Sequence, residues 1–303
     1  MFQPGYIKLY KSGELKKRVE KTVNLMKQCQ ICPRRCKVNR LENEKGICKV
    51  GRLPMVSSYN PHFGEESPLV GTQGSGTIFL TSCNLGCIFC QNYDISHLGE
   101  GYEISIEHFA KMMIELQNIG CHNINFVTPT HVVPQILKAL PIAVEMGLKI
   151  PLVYNTGGYD IIETLMIIEG IFDIYMPDFK FTDSDIANRF CKARDYPEVA
   201  TKAIKEMHRQ VGDLVINNHG IAERGLIVRH LIMPNELAGT RKVMHFLANE
   251  ISKNTYVNIM DQYHPCGLAH KYPEINRRIT TEEFSNAINI AREEGLTRLD
   301  SIF

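Results

Sequence analysis

Three cysteines fall within eight residues, Cys83-Asn84-Leu85-Gly86-Cys87-Ile88-Phe89-Cys90. The spacing is C-x3-C-x2-C, directly behind the apolar, β-prone run 77–81. Three thiolates on one short loop can grip three corners of an iron–sulfur cube and leave the fourth iron without a protein ligand. A catalytic metal site keeps such an open position, whereas a structural site closes all of them. The bland alternatives are three chance thiols or three of four zinc ligands. The tightness of the triplet and its place after a strand weigh against both.

A second group, Cys29, Cys32, Cys36 and Cys48, has the spacing C-x2-C-x3-C-x11-C. Four thiolates make a closed tetrahedral zinc site or hold a second 4Fe–4S cluster. Arg34, Arg35, Lys37, Lys45 and Lys49 stand around them and would offset the anionic charge of either centre. The other three cysteines, Cys121, Cys191 and Cys266, are expected to be small buried hydrophobes. Cys266 is set apart because the segment 263–267 should lie near the mouth of the fold.

Composition narrows the class. Lys and Arg number 34 against 33 Asp and Glu, a formal charge of +1, so no global charge calls for nucleic acid or an anionic membrane. The first twenty residues are charged throughout and lack the apolar stretch of a secretory signal. No run reaches the ~18 apolar residues of a membrane span. Clustered cysteines favour metal ligation in a reducing compartment over a disulfide scaffold. The expectation is a soluble cytoplasmic protein of one large domain with a small appendage.

The elements that must position these thiols read as follows. Residues 1–28 form an N-terminal helix, with Leu15, Val19, Val23 and Met26 at helical spacing and Ser12 as its N-cap. Residues 29–52 form a metal-stapled four-cysteine knuckle, and the Pro-, Gly- and Ser-rich residues 53–76 a connecting loop. From 77 to 303 strand-like segments (77–81, 123–128, 149–155, 171–177, 226–233, 256–260) alternate with helical ones near 105–119, 131–147, 160–168, 196–211, 239–252 and 281–294. Such alternation predicts an α/β fold with a parallel sheet covered by helices. The rhythm alone does not separate a partial (β/α)6 barrel from a doubly wound sheet.

The cysteine triplet, with Phe89 just before its last member, resembles the signature of the radical S-adenosylmethionine (SAM) superfamily. The resemblance spans roughly 29–299. It is nearest to iron–sulfur proteins classed as homologues of pyruvate formate-lyase activating enzyme, through the segments 32–40, 83–96 and 272–280 (Cys-Pro-Arg-Arg-Cys-Lys-Val-Asn-Arg, Cys-Asn-Leu-Gly-Cys-Ile-Phe-Cys-Gln-Asn-Tyr-Asp-Ile-Ser and Tyr-Pro-Glu-Ile-Asn-Arg-Arg-Ile-Thr). It implies a partial (β/α)6 TIM-type barrel with a small N-terminal metal-binding extension built on the four knuckle cysteines. It also implies a 4Fe–4S cluster on Cys83, Cys87 and Cys90, with SAM chelated to the open iron. Reductive cleavage of SAM would yield a 5′-deoxyadenosyl radical that takes hydrogen from a substrate. A reduced flavodoxin or ferredoxin would be the electron donor, a protein the substrate, and neither nucleic acid nor membrane a partner. Two rival functions stand beside this one. One is radical modification of a small molecule or of another protein unrelated to glycyl radicals. The other is a non-catalytic electron-transfer or metal-sensing protein.

The same resemblance proposes SAM contacts at the strand ends. Thr128 and Thr130 stand where many relatives carry Gly-Gly-Glu; capping the next helix is their plain alternative. Asn155 and Thr156, and then Asp178 and Lys180, match places where the activating enzyme holds a monovalent cation near SAM. Arg229 lies in an apolar run, where a buried arginine needs an anionic partner; the resemblance makes that partner the SAM carboxylate. His230, one residue on, is expected to be a satisfied structural histidine. His264 corresponds to an adenine contact. His62, Glu65 and Glu66 are expected on a solvated loop.

Overall fold

A computed structural model describes residues 2–300; Met1 and residues 301–303, the last three of the expected barrel segment, lie outside them. In chain order the main elements are α1 (Gly5–Lys11), α2 (Glu14–Met26), β1 (Met55–His62), α3 (Ser67–Val70), β2 (Ser75–Leu80), β3 (Tyr102–Glu103), α4 (Ile106–Ile119), β4 (Ile124–Val127), α5 (Val133–Glu145) and β5 (Leu152–Thr156). There follow α6 (Ile162–Ile167), β6 (Ile174–Pro177), α7 (Ser184–Cys191), α8 (Tyr196–Val211), β7 (Val215–Ile216), β8 (Ala222–Leu231), α9 (Thr240–Phe246), β9 (Tyr256–Met260) and α10 (Thr281–Glu293).

Six strands, β2-β4-β5-β6-β8-β9, pair in parallel in that order, and each coincides with an expected strand. Short antiparallel partners, β1 with β3 and then β7, join them. The result is an α/β fold with a mixed, parallel-rich sheet, consistent with an open six-unit TIM-type barrel. Side chains alternate across each strand. Phe126, Tyr154, Tyr175 and Val228 belong to the large core shared with the helices. Val153, Ile174, Met176 and Ile227, on the opposite faces, close with Leu69 of α3 into a small separate apolar cluster. Above that plug the inner face turns polar, and there the candidate residues gather.

Local signals explain the helices. Ser105 accepts the His108 N–H at the start of α4, and Asp183 accepts those of Asp185 and Ile186 at the start of α7. Thr280 and Glu283 form a reciprocal capping box on α10.

Three readings differ from the fold. Residues 53–76 are more than a connecting loop: β1 pairs along β2, and its polar residues and Pro61 lie beyond the two-residue pairing with β3. Ser12 does not cap α2. Gly13, at φ 76°, precedes that helix, and Ser12 closes α1, its hydroxyl donating to Leu9 O at 3.1 Å, so the single helix expected over 1–28 is two. Helix α7 was also unforeseen. The N-terminal helices are built onto the barrel: α2 packs on α5 and α6, and fully buried Tyr6 of α1 donates its hydroxyl to Ile150 O at 2.9 Å.

Tyr6→Ala should therefore cost about 3–5 kcal/mol of unfolding free energy. Tyr6→Phe, which loses only the hydrogen bond, should cost about 1 kcal/mol. Urea denaturation followed by circular dichroism reads both. An alanine variant as stable as wild type would show that the N-terminal helices lie outside the cooperative unit.

Candidate functional site

The loop after β2 brings Cys83, Cys87 and Cys90 to the wall of one cavity of about 400 Å³, which Asn155, Asp178, Lys180 and Arg229 also line. The loop is tied down on several sides. Ile88 N–H donates to Phe190 O at 2.9 Å and Leu268 N–H to Ile88 O at 2.7 Å. Asn84 donates its side-chain amide to Tyr159 O at 2.7 Å. Phe89 packs edge-on against Phe181 and Tyr263.

Burial pushes the Cys83 thiol up to about 12 and raises Cys90 as well. Cys87 is held well above its ordinary value, first by the neighbouring Cys191 thiol and then by burial. The Lys180 charge pulls Cys87 and Cys90 the other way. Such thiols ionise when a metal centre supplies positive charge, so loading would release protons. The donor set fits a cluster. Three sulfurs share one loop, Leu85 N–H donates to Cys83 Sγ at 3.3 Å, and a lysine faces the group.

Strand alternation sorts the remaining candidates. Asn155, Asp178 and Arg229 line the cavity, as does Thr128 at the end of β4. Thr156 does not: its hydroxyl donates to Asp160 Oδ2 at 2.6 Å, behind the sheet. Thr130, also buried, bonds the same carboxylate at 2.7 Å, so neither hydroxyl is turned to the cavity. His264 is half-buried, its ring nitrogen 3.1 Å from Gln262 O, and does not line the cavity either. His230 is fully buried between Phe179 O and the Thr240 hydroxyl, a satisfied structural histidine as expected.

The anionic partner of Arg229 is supplied by the protein. Its Nε donates to Asp178 Oδ1 at 2.7 Å and its Nη2 to Asn155 Oδ1 at 2.6 Å. Lys180 Nζ takes the other Asp178 oxygen at 2.5 Å. The two cations hold the Asp178 carboxyl below its usual range despite burial. Glu65 and Glu66 complete the group, 3.8 and 3.9 Å from the guanidinium. They were expected on a solvated loop, yet the β1–α3 segment folds inward and buries both. Burial pushes Glu66 up to about 7 against the pull of Arg229, and raises Glu65. A Glu-Glu pair just before a short helix carries no signal of this kind by itself.

The four knuckle cysteines also share a cavity wall, with Arg34, Arg40, Asn84 and His131. Burial pushes Cys32 up to about 12 and raises Cys48, whose thiol the Arg40 charge draws down. Among the described residues no three His, Cys, Asp or Glu side chains stand at the spacing that would hold a single ion. The thiols surround their cavity without closing on one point. Of the basic residues named from the sequence, Arg35 pairs with Glu163, Lys45 with Glu103, and Lys49 reaches His97 O. The buried cation beside the thiols is Arg40, which also donates to His131 O at 2.8 Å. Sequence reading missed it because nothing in spacing marks an arginine for burial.

Comparison with known proteins adds three findings. The family model described as the radical SAM superfamily matches residues 77–223. An uncharacterized protein of Methanocaldococcus jannaschii is 35% identical over 288 residues, 92% of this chain and 78% of that protein. Among solved structures, Streptococcus suis SuiB bound to precursor peptide SuiA superposes at a TM-score of 0.50 and 13% identity, over 72% of this chain and 46% of that one. A radical SAM methyltransferase from Sphaerobacter thermophilus gives 0.47 and 14%, over 73% and 64%. The chain thus spans less than two thirds of either structure, and the likeness to SuiB is one of fold.

Glu66 makes a pH prediction. Its value in the folded protein, about 7, lies above the ordinary 4.5, so the folded state keeps a proton that the unfolded chain has released. That contribution is whole below about 4.5 and is lost as pH rises through 7. Glu66→Gln removes the titration. The stability of the variant relative to wild type should rise between these pH values in paired urea titrations. A difference that is flat with pH would show that Glu66 is ionised throughout.

Proposed function

The chain belongs to the radical SAM superfamily, and on that premise we propose that it binds a 4Fe–4S cluster at Cys83, Cys87 and Cys90 and SAM in the adjoining cavity, and that it takes a hydrogen atom from a protein substrate in the manner of a glycyl-radical activating enzyme. The observation that carries this reading is the shared cavity wall. Four residues of the activase-like resemblance, Asn155, Asp178, Lys180 and Arg229, stand on it together with the three thiols, while Thr156 and His264 do not. A cluster bound there supplies the electron that cleaves SAM to methionine and a 5′-deoxyadenosyl radical, the species that takes the hydrogen atom.

The protein's own part is to hold, orient and keep dry. Phe89 and its aromatic neighbours exclude water behind the thiols. Lys180 and Arg229 are the cations proposed for the SAM carboxylate, with Thr128 as a further polar contact. Thr130, Thr156 and His264 are left out, because their side chains lie elsewhere. Each Asp178 oxygen takes one donor, from Lys180 and from Arg229, and keeps acceptor capacity for the monovalent cation that the resemblance implies. A second metal centre at Cys29, Cys32, Cys36 and Cys48 is proposed from their spacing and their common cavity, and would require the four thiols to draw together around the metal. Reduced flavodoxin or ferredoxin is the proposed electron donor.

Anaerobically reconstituted protein reduced with dithionite should release 5′-deoxyadenosine from SAM. A variant with Cys83→Ala, Cys87→Ala and Cys90→Ala should release none and keep the knuckle metal, which metal analysis of that variant then identifies as zinc or iron. Release from the triple variant would sink the assignment. The activase reading further requires a glycyl radical signal in a partner protein, seen by electron paramagnetic resonance and dependent on the three cysteines.

Arg229→Lys tests the SAM anchor. A lysine cannot reproduce the two-nitrogen grip on Asp178 and Asn155. SAM affinity should fall about tenfold or more, the scale of one charge-assisted hydrogen bond, with cluster content unchanged. A lowered Tm with full SAM affinity in the folded fraction would confine Arg229 to holding the barrel together.

A further inference from the structure

A fourth thiol stands against the cluster loop. Cys191, the last residue of α7, is fully buried, and its Sγ lies 3.2 Å from Cys87 Sγ. That separation is far from the roughly 2.05 Å of a disulfide bond, so the two sulfurs are in hydrogen-bond contact. The contact is fixed from both sides by one guanidinium. Arg34 donates to Asn84 O at 2.9 Å and Leu85 O at 3.0 Å on the cluster loop, and to Cys191 O at 3.0 Å and Lys192 O at 2.5 Å at the end of α7. The Ile88 N–H bond to Phe190 O adds a backbone tie between the same two segments. Lys192, in the left-handed conformation, ends the helix there, so Cys191 cannot ride further along it.

We propose that Cys191 is a positioning residue for the cluster: with Cys87 bound to iron as a thiolate that can only accept, Cys191 donates its S–H to Cys87 Sγ and raises the reduction potential of the iron centre that Cys87 holds. This rests on the cluster proposed above. The physics is direct. A hydrogen bond to a ligating sulfur draws electron density from it, and the reduced cluster, which carries one more negative charge, gains more from the bond than the oxidised one. In a buried setting the effect is not screened by water. The bonds from the Leu85 and Gly86 backbone to Cys83 and from the Asn92 backbone to Cys90 are features that any residue at those positions supplies, and Ser96 adds a side-chain bond to Cys90. The bond to Cys87 depends on one side chain. The three ligands stay Cys83, Cys87 and Cys90, and the fourth iron stays open.

The test is a redox titration of the reconstituted protein, followed by electron paramagnetic resonance, on wild type and on Cys191→Ala, Cys191→Val and Cys191→Ser. Alanine and valine carry no donor, and valine keeps the space filled. Both should shift the midpoint to more negative potential, while serine, which retains an O–H donor, should fall between them and wild type. Cys121→Ala removes a buried thiol elsewhere and should leave the midpoint in place. Equal midpoints in wild type and the two donorless variants, at full cluster content, would overturn the proposal. So would loss of the cluster in both donorless variants with serine keeping it at the wild-type potential, which would make Cys191 purely structural. A cluster that responds to SAM only once Cys191 is replaced would make it a fourth ligand and overturn the proposal too. Failure of the underlying reading is distinguishable: wild type would then bind no cluster at Cys83, Cys87 and Cys90.

Discussion

Placing the Arg229 guanidinium, only 17% exposed, on the cavity wall obliges the surrounding elements to bring it negative charge and hydrogen-bond acceptors, because an uncompensated cation there would be costly. Asp178 comes from just beyond β6, Asn155 from β5, and Glu65 and Glu66 from the turn that follows β1. Asn258 of β9 in turn donates to Glu66 at 3.0 Å. One side chain thus draws four strands and a remote segment together around the cavity that the cysteines face. Three carboxylates face Arg229 and Lys180, and burial, with the Glu65 charge adding to it, keeps Glu66 protonated to higher pH and so relieves the excess of negative charge. Ion pairs of this kind add little net stability over an apolar core, but losing one partner costs about 3–5 kcal/mol. They therefore act as a constraint on geometry more than as a source of stability.

The second joint is Arg34. Its own backbone belongs to the knuckle, its side chain to the cluster loop and α7, and its guanidinium lies 5.2 Å from the centre of the Tyr159 ring. Arg40 does the converse work on the inner side, joining Gly51 O and His131 O under the knuckle thiols. The small N-terminal unit is thereby part of the wall behind the cluster loop. Any metal held by its four thiols would stiffen the residue that positions Asn84 and Leu85, so the two cysteine groups are mechanically linked through a single side chain.

Much of this was legible in the chain because two periodicities carry it. The six parallel strands, covered on both faces, read as short apolar runs between helical patterns, and all six lie where those runs predict. The C-x3-C-x2-C spacing alone predicts a loop that brings three thiols to one place. Alternation along a strand even contains the difference between Asn155, which faces the cavity, and Thr156, which faces Asp160. Choosing between them needs the one fact that a strand sequence lacks, namely which of its two faces is inside.

By itself, then, the sequence determined the six parallel strands, most of the helices between them and the cysteine spacing, since these follow from local periodicity and from ligands close together in the chain, whereas the order of the strands in the sheet came from the fold. Only tertiary structure decided what meets across long separations. Glu65 and Glu66 turn inward because a buried arginine more than a hundred residues away needs them, and Thr130 and Thr156 turn to Asp160 instead of the cavity. Cys191 touches Cys87 because α7, capped by Asp183 and ended at Lys192, stops against the cluster loop. Charge compensation and helix termination act through space, and neither leaves a period or a spacing in the chain from which the contact can be read.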